Sequence, residues 1–154
     1  TVRHDRSWPH MIYDVGATIT LEAWDQKYKK NLDWNHAWGA APANIIPRCL
    51  IGVQPTAPGF ATFQVKPQIA GLAFAQARVP TIRGAVQVSV QQDERDYRVQ
   101  VTVPGNCTAT VYVPAFTASQ NINVDGREMR ATKEGKFLYV KNVGAGVHTI
   151  VVEK

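Results

Sequence analysis

Val86-Gln-Val-Ser-Val90 and Tyr97-Arg-Val-Gln-Val-Thr-Val103 carry an apolar side chain at every second position. Alternate residues of a strand face opposite sides of a sheet, so each stretch has one dry face and one wet face. Ala109, Val111 and Val113 repeat the pattern, alternating with Thr110 and Tyr112. Between these runs lie turn formers: Asp93-Glu94, Pro104-Gly105-Asn106, Asp125-Gly126 and Glu134-Gly135. Asp-Gly supplies the positive φ that a tight hairpin requires. Phe60 to Lys66, Ala73 to Val79, Phe137 to Val140 and Val147 to Val152 add further strand-like runs. About eight short strands at this spacing predict an antiparallel β-sandwich over residues 52–154.

Working back toward the start, the period of two stops at Gly52 to Gly59, a stretch broken by Pro55 and Pro58. That is a domain boundary. Before it, His36 to about Leu50 has apolar or small residues on nearly every side, with Asn35 as a plausible N-cap. A helix apolar all round is a buried one, and residues 1–35 offer it too few partners. Pro42 and Pro47 predict a kink or interruption. Residues 1–34 show no sustained period and read as loop with short helical pieces. The expected fold is therefore mainly β, with a C-terminal sandwich (52–154) preceded by a short helical segment (1–51) that belongs to something larger. The chain opens on Thr rather than Met, which fits the same reading.

The 154 residues carry a net charge of +5, with basic residues scattered singly. A nucleic-acid footprint needs a concentrated basic stripe, so no nucleic-acid partner is expected. No run of 18 apolar residues marks a membrane span, and no secretory leader opens the chain. Cys49 and Cys107 are the only cysteines. They allow one disulfide, but two ordinary buried thiols are the better expectation.

All four tryptophans, Trp8, Trp24, Trp34 and Trp38, fall in the first quarter of the chain, beside Glu22, Asp25, Asp33 and His36. Indole faces among carboxylates and an imidazole are the materials of a sugar pocket: the rings cover the C–H face of a pyranose and the polar groups read its hydroxyls. Glu22 is a lone carboxylate among Leu21, Ala23 and Trp24. Desolvation there would raise its pKa and suit it to proton transfer; a surface Glu, or one paired with Lys27, is the competing expectation. Asp14, Asp25 and Asp33 are better read as turn caps than as ligands of hydroxyls. His36 suits a hydroxyl partner or a satisfied core histidine, with periodicity favouring the latter. Each tryptophan taken singly is core rather than platform. No second His or Cys stands at metal-ligand spacing, and His4 with His10 is a weak pair, so no metal is expected. Nothing points to a cofactor: there is no glycine-rich phosphate loop and no nucleophile elbow.

Gly16-Ala-Thr-Ile-Thr-Leu-Glu-Ala-Trp-Asp25 and Asp33-Trp-Asn-His-Ala-Trp-Gly-Ala-Ala-Pro-Ala-Asn-Ile-Ile-Pro-Arg48 resemble the end of the catalytic domain of bacterial α-L-rhamnosidases of glycoside hydrolase family 78. Gly52-Val-Gln-Pro-Thr-Ala-Pro-Gly-Phe60 and Val65-Lys-Pro67 resemble that family's passage into its C-terminal sandwich. The resemblance implies that residues 1–51 are the last helices and loops of an (α/α)6 barrel. It implies inverting hydrolysis of terminal α-L-rhamnosides, with a rhamnose-containing glycoside or polysaccharide as partner. It also implies that Glu22 is the general base, that His36 lines the rhamnose subsite, and that Trp24 is a neighbouring pocket residue. The loop between Glu22 and His36 is shorter than in many relatives. The family's general acid lies upstream in the barrel and has no counterpart here, so this chain alone should be inactive and should depend on the upstream part of the same polypeptide. A periplasmic or secreted location is favoured, since enzymes of this kind are often exported. A rival expectation is a non-catalytic sandwich, either a carbohydrate-binding module using Tyr97, Tyr112, Tyr139, Phe116 and Phe137 or a purely structural buttress.

Overall fold

The computed structural model describes residues 4–117, 119 and 121–154. The chain divides into two compact units, one ending at Ile45 and one spanning Ile46–Lys154.

The described residues of the second unit form a β-sandwich of eleven strands. One sheet has the order β1 (Val53–Pro55), β2 (Thr62–Val65), β6 (Thr108–Pro114), β10 (Phe137–Val143), β9 (Thr132–Glu134). The other runs β3 (Phe74–Val79), β4 (Val86–Gln92), β5 (Asp96–Val103), β11 (Gly146–Glu153), β7 (Asn121–Val124), β8 (Arg127–Arg130). The alternation places Val86, Val88 and Val90, then Tyr97, Val99, Val101 and Val103, on the inner face of one sheet. Val111, Val113 and Leu138 face them from the other. Each such aliphatic side chain contributes about 1.5–3 kcal/mol when fully removed from water, so the sandwich has ample means to fold on its own core.

Among the described residues, all strand pairs but one are antiparallel; β2 and β6 run parallel, Thr62 opposite Thr108 through Val65 opposite Val111. The hairpin between β7 and β8 turns on Asp125 (φ 52°) and Gly126 (φ 83°), the two successive positive φ angles of a tight primed turn. Gly52 is fixed by a different constraint. At φ 78°, a Cβ there would lie 2.1 Å from the carbonyl oxygen of Lys66. The strands β1, β7, β8 and β9 are additional to those expected. They are three or four residues long, and β8 and β9 are exposed throughout, so they carry no alternation for a sequence pattern to show. Cys107 is buried and Cys49 exposed, both as free thiols, so only one of the two is the buried thiol expected.

In the first unit the helix expected from His36, kinked or interrupted by Pro42 and Pro47, is broken into short pieces. A 3-10 turn covers Ala37–Ala40 and α1 covers Ala41–Ile45. A wider π turn, Ile46–Leu50, then opens the second unit. Pro47 has no N–H to donate into a regular helix, and the chain answers with an Ile51 N–H to Ile46 carbonyl bond at 3.0 Å. Asn35 is not the cap: His36 holds that position in extended backbone and makes no side-chain capping bond. Within this chain the helical segment lacks the covering partners that its apolar character calls for. Trp38, Ile45 and Ile46 are about half exposed. No helix of the described residues is long and apolar enough to cross a membrane.

Candidate functional site

Two irregular segments of the first unit are laced together by backbone bonds. The Glu22 N–H donates to the Asp33 carbonyl at 2.9 Å, and the His36 N–H to the Thr20 carbonyl at 2.8 Å. The Thr20 hydroxyl then donates to the His36 carbonyl at 2.7 Å. Below them a small core of Met11, Leu21 and Leu32 anchors the segment, because Leu21 points inward when Glu22 points out. The result brings residues far apart in sequence onto one spot: one polar side-chain atom each from Glu22, Asp33 and His36 lies within 4.8 Å of the other two.

Glu22 is partly buried. Its carboxylate pairs with the ammonium of Lys29 and accepts the Asp33 N–H at 3.3 Å. These partners, Lys29 foremost, hold its pKa below the ordinary carboxylate value, and burial is the weaker, opposing influence. The desolvation-raised pKa expected from Leu21, Ala23 and Trp24 is therefore not found; a cation seven positions on outweighs the apolar neighbours. Lys27, the partner considered from sequence, instead pairs with Asp5 at 2.9 Å. Three ligand-type atoms this close could also engage a divalent cation, but the Lys29 ammonium already supplies a positive charge there.

Trp8, Trp24 and Trp38 form an edge-to-face series rather than isolated core residues. Trp8 meets Trp24 at 5.0 Å and 87°, Trp24 meets Trp38 at 6.4 Å and 81°, and His36 meets Trp38 at 6.3 Å. The Trp8 indole N–H donates to the Gly39 carbonyl at 2.8 Å, pinning the 3-10 turn that carries Trp38. Trp24 is thus the middle of an aromatic series that ends on the His36 imidazole. Trp34 and Trp38 stay about half exposed.

Asp25 caps the turn Gln26–Tyr28, as expected of an Asp, by accepting the Lys27 N–H at 3.2 Å. It also does something the sequence did not show. His10 bridges it, at 3.1 Å, to Asp14, at 2.9 Å. The pair of carboxylates, Asp25 first, raises the His10 pKa. Only the i, i+4 spacing of His10 and Asp14 hinted at this arrangement.

In the sandwich, the aromatic row considered as a sugar platform is largely occupied by the protein itself. Tyr97 is 2% exposed and Phe137 9%. Lys66 lies over Tyr112 at 4.4 Å and over Phe137 at 4.5 Å, and Lys141 over Tyr139 at 5.3 Å.

Residues 1–50 match the model of the bacterial α-L-rhamnosidase six-hairpin glycosidase domain, and residues 52–128 that of the bacterial α-L-rhamnosidase C-terminal domain. Two curated relatives are similar along most of this chain. An Alteromonas sp. (strain LOR) α-L-rhamnosidase is 28% identical over 86% of it, and one from Streptomyces avermitilis 27% identical over 97%. The chain spans only 16% and 15% of their respective lengths. Among solved structures, an α-L-rhamnosidase from Dictyoglumus thermophilum superposes with a TM-score of 0.80 at 22% identity, over 97% of this chain and 18% of that one. A Streptomyces avermitilis α-L-rhamnosidase complexed with L-rhamnose gives 0.74 at 22%, over 97% and 15%. At such identity these two likenesses speak to the fold.

Proposed function

Because this chain belongs to the bacterial α-L-rhamnosidase family, we propose that it supplies the water-activating half of a glycoside hydrolase acting on terminal α-L-rhamnosides with inversion. Residues 1–51 are the last segment of the catalytic barrel in this reading, and residues 52–154 its C-terminal sandwich. Glu22 is the general base, His36 a partner of a sugar hydroxyl, and Trp24 a support of the pocket wall.

The observation that carries the proposal is the convergence of Glu22 and His36 beside a series of indoles. A general base must be ionised before it can take a proton from water. The Lys29 ammonium and the Asp33 N–H keep Glu22 in that state. As water attacks the anomeric carbon, one proton passes to Glu22. The glycosidic oxygen leaves with a proton from an acid on the opposite side. Inversion requires the two carboxyl groups to stand ~6.5–9.5 Å apart, so that water fits between base and sugar. Asp33, with an oxygen within 4.8 Å of Glu22, is too near for that task. The acid therefore comes from the upstream part of the polypeptide.

The test uses the full-length enzyme. Glu22→Gln should lower kcat by roughly 10²–10⁴ with little change in substrate binding. Proton NMR of the first turnovers should show the β-anomer of rhamnose. Near-wild-type turnover of Glu22→Gln would remove Glu22 as the base, and an α-anomer as first product would replace inversion with retention.

A further inference from the structure

At one end of the sandwich, loops leaving β2 and β6 meet the ends of β4, β5 and β10 around a cavity of about 450 Å³. That is within the range of small-molecule sites, and strand-end loops are where sandwiches usually present them. Its walls are mainly apolar: Pro67, Ile69, Pro114, Phe116 and Phe137. Phe116, at the mouth of the hollow, is 40% exposed and carries the Lys154 ammonium over its ring at 5.3 Å.

Two polar features stand out in this lining. Lys136 is the one charged side chain among the described lining residues, and no carboxylate lies there to pair with it. Tyr97, whose ring packs on Phe116 at 6.1 Å, is buried, and its hydroxyl has no hydrogen-bond partner. A buried hydroxyl without a partner is costly and calls for an explanation. Burial also pushes the phenol pKa upward, so it remains a neutral donor. The opposite wall is held firmly. The Gln92 amide donates to the carbonyls of Ala70 at 2.6 Å and Leu72 at 2.8 Å, fixing a loop in which Ala70 adopts a φ of 50°. Strained backbone so over-determined is common where a ligand is clamped.

We propose that this cavity binds a small amphipathic carboxylate: an apolar ring face seated against the Phe116 wall, with its anion paired to Lys136. An aromatic acid and a uronic acid share that chemistry, a ring bearing one carboxylate. The site is independent of Glu22 and of the hydrolytic reading.

The probes are benzoate, glucuronate and the neutral benzamide. Each is titrated into the 154-residue chain at constant ionic strength while the ring resonances of Phe116 and Phe137 are followed by NMR. Benzoate should give saturable shifts in roughly the millimolar range. Benzamide should bind about tenfold more weakly, because a charge-assisted bond is lost. Lys136→Met should weaken benzoate about tenfold while leaving benzamide unchanged. Tyr97→Phe should leave benzoate affinity unchanged and the melting temperature equal or higher, since it removes an unpaired hydroxyl buried out of the ligand's reach. Tighter binding of glucuronate than of benzoate would identify the ligand as an acidic sugar; the reverse would identify it as an aromatic acid. Absence of saturable shifts with both acids overturns the proposal. So does equal benzoate affinity in wild type and Lys136→Met.

Discussion

Among the described residues, the unit ending at Ile45 buries three in its core cluster, whereas the sandwich unit buries 23. The sandwich is thus held by non-directional burial, and the first unit by a few named polar links: Thr20 to His36, Trp8 to Gly39, His10 to Asp14 and Asp25. The first unit also leaves Ile12, Tyr13, Ile19, Trp34, Trp38 and Ile45 exposed. Large apolar surface on a small body marks a place where other structure packs. In the proposed reading that structure is the rest of the catalytic barrel. The difference teaches that the chemistry proposed for this chain falls on the part of it least able to stand alone.

The largest expected effect follows directly. If the proposed assignment holds, the purified 154-residue chain should show no measurable turnover of an aryl α-L-rhamnoside, because the proposed base would stand without its acid. Detectable hydrolysis by the isolated chain would mean that Asp33 or another local group serves as the acid.

Next comes the sandwich core. Leu138→Ala should cost about 2–5 kcal/mol, the usual effect of a cavity in a closed core. All four tryptophans lie in the first unit, so they provide a separate probe. In denaturant, tryptophan fluorescence should change before the β-sheet circular dichroism, and Leu138→Ala should shift only the latter transition. Coincident transitions in wild type would show that the two units fold as one.

The sandwich was legible in the sequence because its central strands obey a strict period of two. From Val86 to Val103 each inward residue is apolar and each outward one polar or exposed. The short strands β1, β7, β8 and β9 were not legible, since three or four residues with little burial leave no periodic trace. The parallel pairing of β2 with β6 was invisible for another reason: alternation reports which face is dry, not which way a neighbour runs. In the first unit, motif resemblance singled out Glu22, His36 and Trp24, but not their electrostatics. The pKa of Glu22 depends on Lys29 folding back across the site, and that contact is made by irregular backbone. The His10 bridge was missed likewise, because Asp25 lies fifteen residues away and the turn that returns it has no period.

A smaller effect tests the lacing of the site. A methyl group on Gly39 would sit 2.8 Å from the Thr20 Cβ, and Thr20 is the residue that ties the Glu22 segment to the His36 segment. Gly39→Ala should therefore cost about 1–3 kcal/mol in the first unit, the range for overpacking, and leave the sheet signal unmoved. A tryptophan transition unchanged from wild type would show that these links do not hold the unit.

The smallest effect is a pH dependence confined to the first unit. Asp25 and then Asp14 raise the His10 pKa above its ordinary value, which is about 6.5 in an unstructured chain. A group bound more tightly to its proton when folded stabilises the fold fully below the unfolded value. That contribution is lost as pH rises through the folded one. The first unit should therefore be firmer near pH 6 than near pH 9, read as a lower denaturant midpoint for tryptophan fluorescence at the higher pH. The sheet transition should not follow it. His10→Gln should flatten the fluorescence dependence, because glutamine holds no titrating proton between the two carboxylates. A dependence that survives in His10→Gln would transfer the effect to another group and leave the bridge a packing feature of the turn.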